Sequence, residues 1–235
     1  MRTAIVVPFH NHISTLYRCI SSVFNNTDKD IYRLFLLDDN STLPNSILAR
    51  KLYYSFYKDV TGIISFDSRN GYAGVVKKFL DLGKIDYHYD NVCILDSDTV
   101  VSNDWLDELH QCLRINRIIG PVLSAATTDQ QLIIYDDDDV PIDHKQLSNN
   151  EIEQISSNLK SKSSKYRRVV PSLLDDTCLL IPEVYIYNLI NSHGDVFDLV
   201  NDRININLFA EENDIKTYYC PHVYVWHHGH KTKGN

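Results

Sequence analysis

Buried-strand and helix patterns alternate along the first half of the sequence, and this alternation constrains the fold more than any other feature. Short apolar runs lie at residues 3–7, 32–37, 62–66 and 92–95. Helical patterns with one apolar face lie between them, as in Leu16, Ile20 and Val23 after the first run. Strands and helices that alternate through short links form a mainly parallel sheet with right-handed connections. We therefore expect an α/β domain with a mostly parallel central sheet flanked by helices.

Two helices in this half allow detailed expectations. Ser14 is a suitable N-cap for the first helix, because its hydroxyl can accept a hydrogen bond from a free backbone amide. In the second helix, Ile47, Leu48, Leu52 and Phe56 lie on one face, which predicts that this face is buried.

Length and charge limit the class of protein. With 235 residues the chain is long enough for one α/β domain with a full core. The net charge is −8 and no basic stripe offsets it, which argues against nucleic acid as a partner. A small anionic ligand needs only local positive charge or a metal ion, so it stays compatible with this composition.

The cysteines and the apolar segments indicate the compartment. Five cysteines are scattered mostly through apolar stretches without the paired spacing of a zinc site, so we expect reduced core residues in a cytoplasmic protein. The apolar run before Pro8 is too short for a signal peptide, and no stretch is long enough to span a membrane. A membrane-bound substrate would be reached from the side, by peripheral association.

Candidate functional residues follow each of the four predicted strands. They lie at 8–11, 38–41, 69–74 and 96–98. Because the carboxyl ends of parallel strands share one edge of a sheet, these residues should line one crevice.

Asp96 and Asp98 are the strongest candidates for a metal site. In an extended chain their side chains would point the same way about one pleat repeat apart, and two carboxylates suit Mg²⁺ or Mn²⁺ shared with a phosphate. An Asp-x-Asp pattern also occurs at Asp28/Asp30 and within residues 136–139, but only Asp96 and Asp98 follow a buried strand. The alternative is a strand end followed by a helix cap.

The second half has a weaker pattern. Residues 136–168 are polar and predict a loop with a marginal helix around 151–159; their four-Asp run is expected to be a solvated acidic segment. Order should return in a strand at 177–181, a helix at 183–191, a helix from Asn201-Asp202 through Ala210, and C-terminal strands. No repeat or linker indicates a second folding unit. We therefore expect one domain over 1–235, with halves 1–126 and 127–235 and a loop at about 130–168.

Eight sequence blocks, in order, resemble glycosyltransferase family 2. They are residues 6–11, 37–41, 70–74, 95–98, 176–183, 194–198, 201–202 and 221–228. The resemblance covers nearly the whole chain except the 130–168 loop. It implies a single Rossmann-like domain of the GT-A fold and an inverting transfer that uses a nucleotide-diphosphate sugar donor. The block from Arg69 to Gly74 is similar to that of members that transfer rhamnose-like sugars.

The resemblance implies a role for each residue on the donor side. Asp39 would bind the nucleobase or ribose, with a helix N-cap shared with Ser41 as the alternative. Pro8 and Phe9 would form a wall against the base, although Phe9 could instead be a core residue. The turn from Arg69 would approach the diphosphate or sugar, unless it is an ordinary strand-to-helix turn. The full donor-side set is Pro8, Phe9, Asn11, Asp39, Arg69, Asn70, Gly71, Gly74, Asp96 and Ser97.

The resemblance also implies the metal ligands. Asp96, Asp98 and His227 would hold Mn²⁺ or Mg²⁺ between the two phosphates. Asp98 is the expected direct ligand, and Asp96 could reach the ribose instead. The neighbouring His228 stays open as an alternative to His227.

The general base is harder to place because the sequence departs from the family pattern. The usual acidic motif is replaced by Asn201-Asp202-Arg203-Ile204, and we prefer Asp202 as the base. Glu211 and Glu212 can instead be aligned with the acidic motif of the family. That alignment leaves no room before Pro221 for the helix that normally follows the base. Asp202 could also be the N-cap of a helix that starts at Arg203. Asp176 and Thr177 would line the side of the glycan or glycolipid acceptor.

Two other functions stay open. A nucleotidyltransferase that forms sugar nucleotides would need a glycine-rich basic loop after the first strand, which Pro8-Phe9-His10-Asn11 does not provide. A non-catalytic domain that binds glycans or partners is the alternative that the irregular base motif keeps open.

Overall fold

The computed structural model describes residues 2–56, 61–83, 89–126, 128, 130, 147–163, 169–192 and 194–228. Within this part, the strands are Thr3–Phe9 (β1), Tyr32–Asp38 (β2), Thr61–Ser65 (β3), Asn91–Leu95 (β4), Thr99–Val101 (β5), Arg117–Leu123 (β6), Val170–Pro171 (β7), Cys178–Pro182 (β8), Phe197–Asp198 (β9), Arg203–Ile204 (β10) and Lys216–His227 (β11). The α-helices are Ile13–Asn26 (α1), Leu43–Phe56 (α2), Gly71–Asp81 (α3), Trp105–Cys112 (α4), Asn149–Ser163 (α5), Ile186–Ile190 (α6) and Ile206–Glu212 (α7).

One central sheet organises the molecule. Its strand order is β3-β2-β1-β4-β8-β6-β11-β5, and β7 also pairs with β11. The pairs formed by β1, β2, β3 and β4 are parallel, as is β6 with β11, whereas β8 runs antiparallel between β4 and β6. Most paired residues therefore lie in parallel ladders, which confirms the predicted fold class.

Helices cover both faces of the sheet. Residues of α1 and α4 pack on one face, against side chains such as Ile5 and Val7 of β1. Residues of α3, α6 and α7 pack on the other face, against Val6 of β1 and Val92 of β4. Successive side chains of a strand point to opposite faces of the sheet, so β1 contributes side chains to the packing on both faces. This is why its sequence is a continuous apolar run.

Two expectations for the first helices are wrong in detail. The residue before α1 is His12, in the left-handed region at φ 42°, so Ser14 lies inside the helix rather than at its cap. In α2 only Ala49 is buried, and Ile47 and Leu48 are nearly half exposed. The spacing of apolar residues in α2 correctly predicted a helix, but the prediction that its apolar face is buried is wrong.

The second half differs more from the expectations. Helix α5 is longer than the marginal helix expected at 151–159, and its Ile152 is fully buried against a small cluster around Trp226. Arg203 and Ile204 form strand β10 instead of opening a helix, and α7 begins only at Ile206. The four-Asp run at 136–139 and most of the predicted 130–168 loop lie outside the described residues.

The membrane and cysteine expectations can also be compared with the structure. Among the described helices, none is long and apolar enough to cross a bilayer. All five cysteines are buried and carry free thiols, in agreement with their prediction as reduced core residues.

Candidate functional site

Strand pairing brings the C-terminal segment to the Asp-x-Asp turn. The antiparallel pair of β11 and β5 sets His227 opposite Thr99, the residue after Asp98. Asp96, Ser97 and Asp98 do not continue the strand as expected. They form a tight turn between β4 and β5, in which the Thr99 amide donates to the Asp96 carbonyl over 3.3 Å.

Asp96, Asp98 and His227 form a group with metal-binding geometry. Each offers a ligand atom within 4.8 Å of the other two, and Asp98 and His227 are almost fully buried. His227 Nε2 lies 3.2 Å from Asp98 Oδ1, an ion-pair distance. Apart from the His227 imidazole, no hydrogen-bond donor among the described residues serves either carboxylate oxygen of Asp98. Because an ionised carboxylate is rarely buried without donors or a metal, this arrangement fits a divalent cation.

The imidazole of His227 is oriented for metal binding. Its Nδ1 lies 2.9 Å from the Ala125 carbonyl oxygen, which can only accept, so Nδ1 carries a proton, and Nε2 faces the carboxylates and presents a lone pair to a cation once its own proton is released. Ser124 fixes the backbone of the same residue, accepting from the His227 amide and donating to its carbonyl. His228 instead donates its amide to the Asp98 carbonyl, and its ring packs against Trp226. The structure thus brings His227, rather than His228, into the group.

Burial and charge shift two pKa values in this group. Burial, followed by the charge of Asp98, raises the pKa of Asp96 to about 7. Burial acts to lower the pKa of His227, but the contact with Asp98 and the charges of both carboxylates outweigh it and raise that pKa to about 9. The metal-free group therefore retains protons near neutral pH.

The loops after β1 and β2 are tied together beside this group. The Asn11 side-chain oxygen accepts from the Thr42 amide and from Asn45, and the Asn11 amide donates to Ser41. The alternative of a helix N-cap by Asp39 with Ser41 is not seen, because α2 begins at Leu43 and the Ser41 amide, in the loop before it, donates to Asp38 Oδ1 over 2.9 Å.

Asp39 and Asp202 both bind the first turn of α3. The Asp39 carboxylate accepts from the amides of Asn70 and Gly71, over 2.7 and 2.9 Å. Asp202 Oδ1 accepts from the amide of Ala73 over 3.0 Å. Asp202 therefore caps α3 and not a helix starting at Arg203.

The predicted acceptor residues connect α3 to the Asp-x-Asp turn. The Tyr72 hydroxyl donates to the Asp176 carbonyl, and Asp176 Oδ2 accepts from the Ile204 amide. Thr177 is buried, and its carbonyl accepts from the Asp96 amide over 2.8 Å. A cavity of about 500 Å³ opens beside Asp176, and polar side chains that include Asn201, Arg203 and Asn207 line it.

The remaining predicted donor residues have different environments. Pro8 and Phe9 are buried in β1, and Phe9 belongs to the core packed under α1. Arg69 is exposed and forms no ion pair within the described residues. Gly74 is buried in α3, and Ser97 is half-buried at the Asp-x-Asp turn.

The alternative base residues lie far from the metal group. Glu211 lines a cavity of about 710 Å³ beside Lys216, at the start of β11, whereas His227 ends that strand. At about 3.3 Å per residue, and with the bulge between Cys220 and Tyr224 shortening the strand, the ends of β11 are roughly 30 Å apart. Apart from Glu211, none of the predicted site residues lines this larger cavity.

Sequence reasoning missed three residues that support the site. Ser124 and Ala125 hold His227, and Tyr72 holds the Asp176 backbone. Tyr72 was visible inside the Arg69–Gly74 block, but its partner was not. Nothing in the sequence around Ser124 indicates that it faces the last strand.

A protein-family model and several solved structures are similar to this chain. The model described as glycosyl transferase family 2 matches residues 4–120. No curated protein sequence matches the chain. Many solved structures do match.

The similar structures share the fold at low sequence identity. GalNAc-T7 with UDP, GalNAc and Mn²⁺ has a TM-score of 0.66 and 15% identity, covering 96% of this chain and 43% of that one. Mannosyltransferase PcManGT from Pyrobaculum calidifontis, in complex with GDP-Man and Mn²⁺, has a TM-score of 0.65 and 12% identity, covering 99% and 58%. TarS 1-349 from S. aureus has a TM-score of 0.55 and 14% identity, covering 94% and 60%. This chain spans about half the length of these structures.

Proposed function

The chain belongs to glycosyl transferase family 2 through residues 4–120, and from this premise we propose a metal-dependent, inverting transfer of a sugar from a nucleoside diphosphate donor to a hydroxyl of a glycan or glycolipid. The observation that carries the proposal is the buried group of Asp96, Asp98 and His227 at the carboxyl edge of the sheet. The similar folds described with UDP or GDP-Man and Mn²⁺ support it. The reaction would serve polysaccharide or glycolipid synthesis in the cytoplasm.

Asp98 and His227 would be direct ligands of Mn²⁺ or Mg²⁺, with Asp96 completing the set or reaching the ribose. Their oxygen and imidazole ligands suit these cations. When bound, the cation offsets the negative charge that develops on the departing diphosphate. The hydrogen bonds with Ser124 and Ala125, in the loop after strand β6, would keep the His227 ring fixed for this role.

Donor recognition falls to Asp39 and Arg69. Asp39 Oδ1 accepts from both the amide and the side chain of Asn70, but Oδ2 accepts only from Gly71 and has a second lone pair, so Asp39 can accept from the base or ribose while it caps the helix. The exposed guanidinium of Arg69 is a suitable partner for the diphosphate. Because the amides of Asn70, Gly71 and Ala73 already donate to protein carboxylates, we assign the diphosphate to Arg69 and the metal ligands rather than to these amides.

Asp202 would act as the general base. An inverting transfer is one in-line displacement, so a carboxylate must take the proton of the attacking hydroxyl as the new bond forms. The neighbours of Asp202 in sequence, Asn201 and Arg203, line the polar cavity beside Asp176, which would receive the acceptor. Replacing Asp202 by Asn should lower kcat by about 10²–10⁴-fold while nucleotide binding is retained. A variant with full activity would exclude Asp202 as the base.

Titration calorimetry of UDP, dTDP, GDP and CMP, with and without Mn²⁺, tests the proposed site. We expect one nucleotide to bind wild type in a Mn²⁺-dependent manner, and Asp98→Asn to abolish that binding. Asp81→Asn is the matched control, because it removes a carboxylate from an exposed pair with Lys77 at the far end of α3. If no nucleotide binds under any condition, the transfer reaction is excluded and a non-catalytic binding domain becomes the better description.

A further inference from the structure

The first turn of α3 holds Asp202 in one place through two features. Its Ala73 amide donates to Asp202 Oδ1 over 3.0 Å. Its Gly71 has no side chain, and a Cβ built there would lie 2.5 Å from Asp202 Oδ1 and 2.9 Å from Cγ. Any residue other than glycine at position 71 would therefore displace the carboxylate.

The backbone at both contact points is in the left-handed region. Gly71 has φ +75°, which glycine adopts without steric cost, and Asp202 has φ 55°, which aspartate tolerates better than most residues. The left-handed conformation costs Asp202 conformational energy. Contacts with the N-terminus of α3 offset this cost, because the amides there favour a negative charge. The two unusual conformations thus occur at one contact.

Asp39 binds the neighbouring amides of the same turn. Its Oδ2 accepts from Gly71, two residues before the Ala73 amide that binds Asp202. Asp39, which is assigned to the donor, and Asp202, which is assigned to the proton transfer, are therefore both held by the first turn of α3.

We propose that Gly71 is a positioning residue, which fixes Asp202 at the distance from the donor that the transfer requires. This inference rests on the proposed role of Asp202 as the general base. It goes beyond that role by giving the glycine of the Arg69–Gly74 turn a function in catalysis rather than in phosphate binding.

A double-mutant cycle between Gly71→Ala and Asp202→Ala tests the inference. Because a misplacement of about 1 Å can cost 10²-fold in rate, Gly71→Ala should lower kcat by about that factor, with little change in nucleotide affinity. In the Asp202→Ala background, Gly71→Ala should change kcat by less than about twofold, because no carboxylate is left to displace. Gly83→Ala is the matched control: it has φ +59° but meets no atom within 4 Å, so it should leave kcat unchanged.

The outcomes separate this inference from the proposed function. If Asp202→Ala keeps full kcat, the base assignment fails and the inference with it. If Asp202→Ala lowers kcat strongly but Gly71→Ala lowers the remaining kcat by the same factor as it does in wild type, or lowers it in wild type by no more than Gly83→Ala does, the inference alone is overturned. Should Gly71→Ala not fold by itself, thermal unfolding decides: recovery of folding in the double variant supports the contact, and no recovery overturns it.

Discussion

Asp98 is the residue with the most demanding environment in the site. Burying an ionised carboxylate without hydrogen-bond donors costs several kcal/mol in proteins, and removing one partner from a buried pair is strongly destabilising. The ion pair with His227 offsets part of this cost in the metal-free protein. A divalent cation would offset more of it, so the same carboxylate that is unfavourable alone becomes a strong ligand.

Metal affinity should increase with pH. The raised pKa values, about 7 for Asp96 and about 9 for His227, mean that both groups hold protons at pH 6 and that a cation must displace them. Mn²⁺ affinity should therefore rise between pH 6 and 9, by up to about tenfold per pH unit for each proton displaced. Calorimetry in buffers of different ionisation enthalpy counts the released protons. An affinity that is constant from pH 6 to 9 would contradict these protonation states.

Ser124 should influence metal affinity without touching the metal. Ser124→Ala removes both hydrogen bonds that fix the His227 backbone, and loss of such supporting contacts typically weakens metal binding by about 10–100-fold. Ser102→Ala is a matched control, because Ser102 is also a buried serine that donates to a β11 carbonyl, at Tyr224. Both variants should lose about 1–3 kcal/mol of stability, but only Ser124→Ala should weaken Mn²⁺ binding. Equal Mn²⁺ affinity in the two variants would refute the supporting role.

Individual elements differ in how strongly the sheet holds them. Helix α2 buries only Ala49, whereas α5 inserts the fully buried Ile152 between β11 and neighbouring side chains. Helix α5 packs directly against β11, the strand that ends in His227. It is also joined to α1, because Arg18 of α1 donates a hydrogen bond to the side-chain oxygen of Asn149 in α5.

Truncating Ile152 should therefore destabilise the protein substantially. Ile152→Ala should lower the free energy of unfolding by about 2–5 kcal/mol, as expected for a buried aliphatic residue. Ile115→Ala is the control, because Ile115 is 72% exposed and its loss should change stability by less than about 0.5 kcal/mol. Chemical denaturation measures both, and equal effects would show that α5 does not form part of the core.

The sequence predicts some elements well and others poorly, for physical reasons. Parallel strands buried on both faces are visible as apolar runs, so β1, β2, β3 and β4 could be placed within a residue or two. The apolar face of α2 was misjudged because spacing cannot show whether a neighbouring element covers a helix. Strand β5 and the insertion of β8 between β4 and β6 depend on long-range pairing, which no local pattern reports.

The site shows the same limit at a smaller scale. Asp96 and Asp98 could be found from one strand and its end. His227 required the family resemblance, because only the pairing of β11 with β5 brings it there. The partners of Asp39 and Asp202 on α3 could not be predicted from the sequence, since they join loops that lie far apart along the chain.

The whole molecule combines a parallel half, which carries the residues proposed to bind the donor, with a half in which antiparallel strands complete the metal group. All five cysteines lie inside this combined core. In the native protein we expect no rapid reaction with a thiol reagent such as DTNB, and five reactive thiols after unfolding. One fast thiol before unfolding would show that part of the core opens readily, and its position could be mapped by peptide analysis.

The place of His227 on the last strand has a consequence for biosynthesis. Asp96 and Asp98 leave the ribosome long before His227, from which they are separated by more than half of the chain. The parallel half could collapse early, but His227 joins the group only when β11 has docked between β6 and β5. Cation loading would then be a late event, and a nascent or truncated chain would lack a complete metal group until its fold is finished.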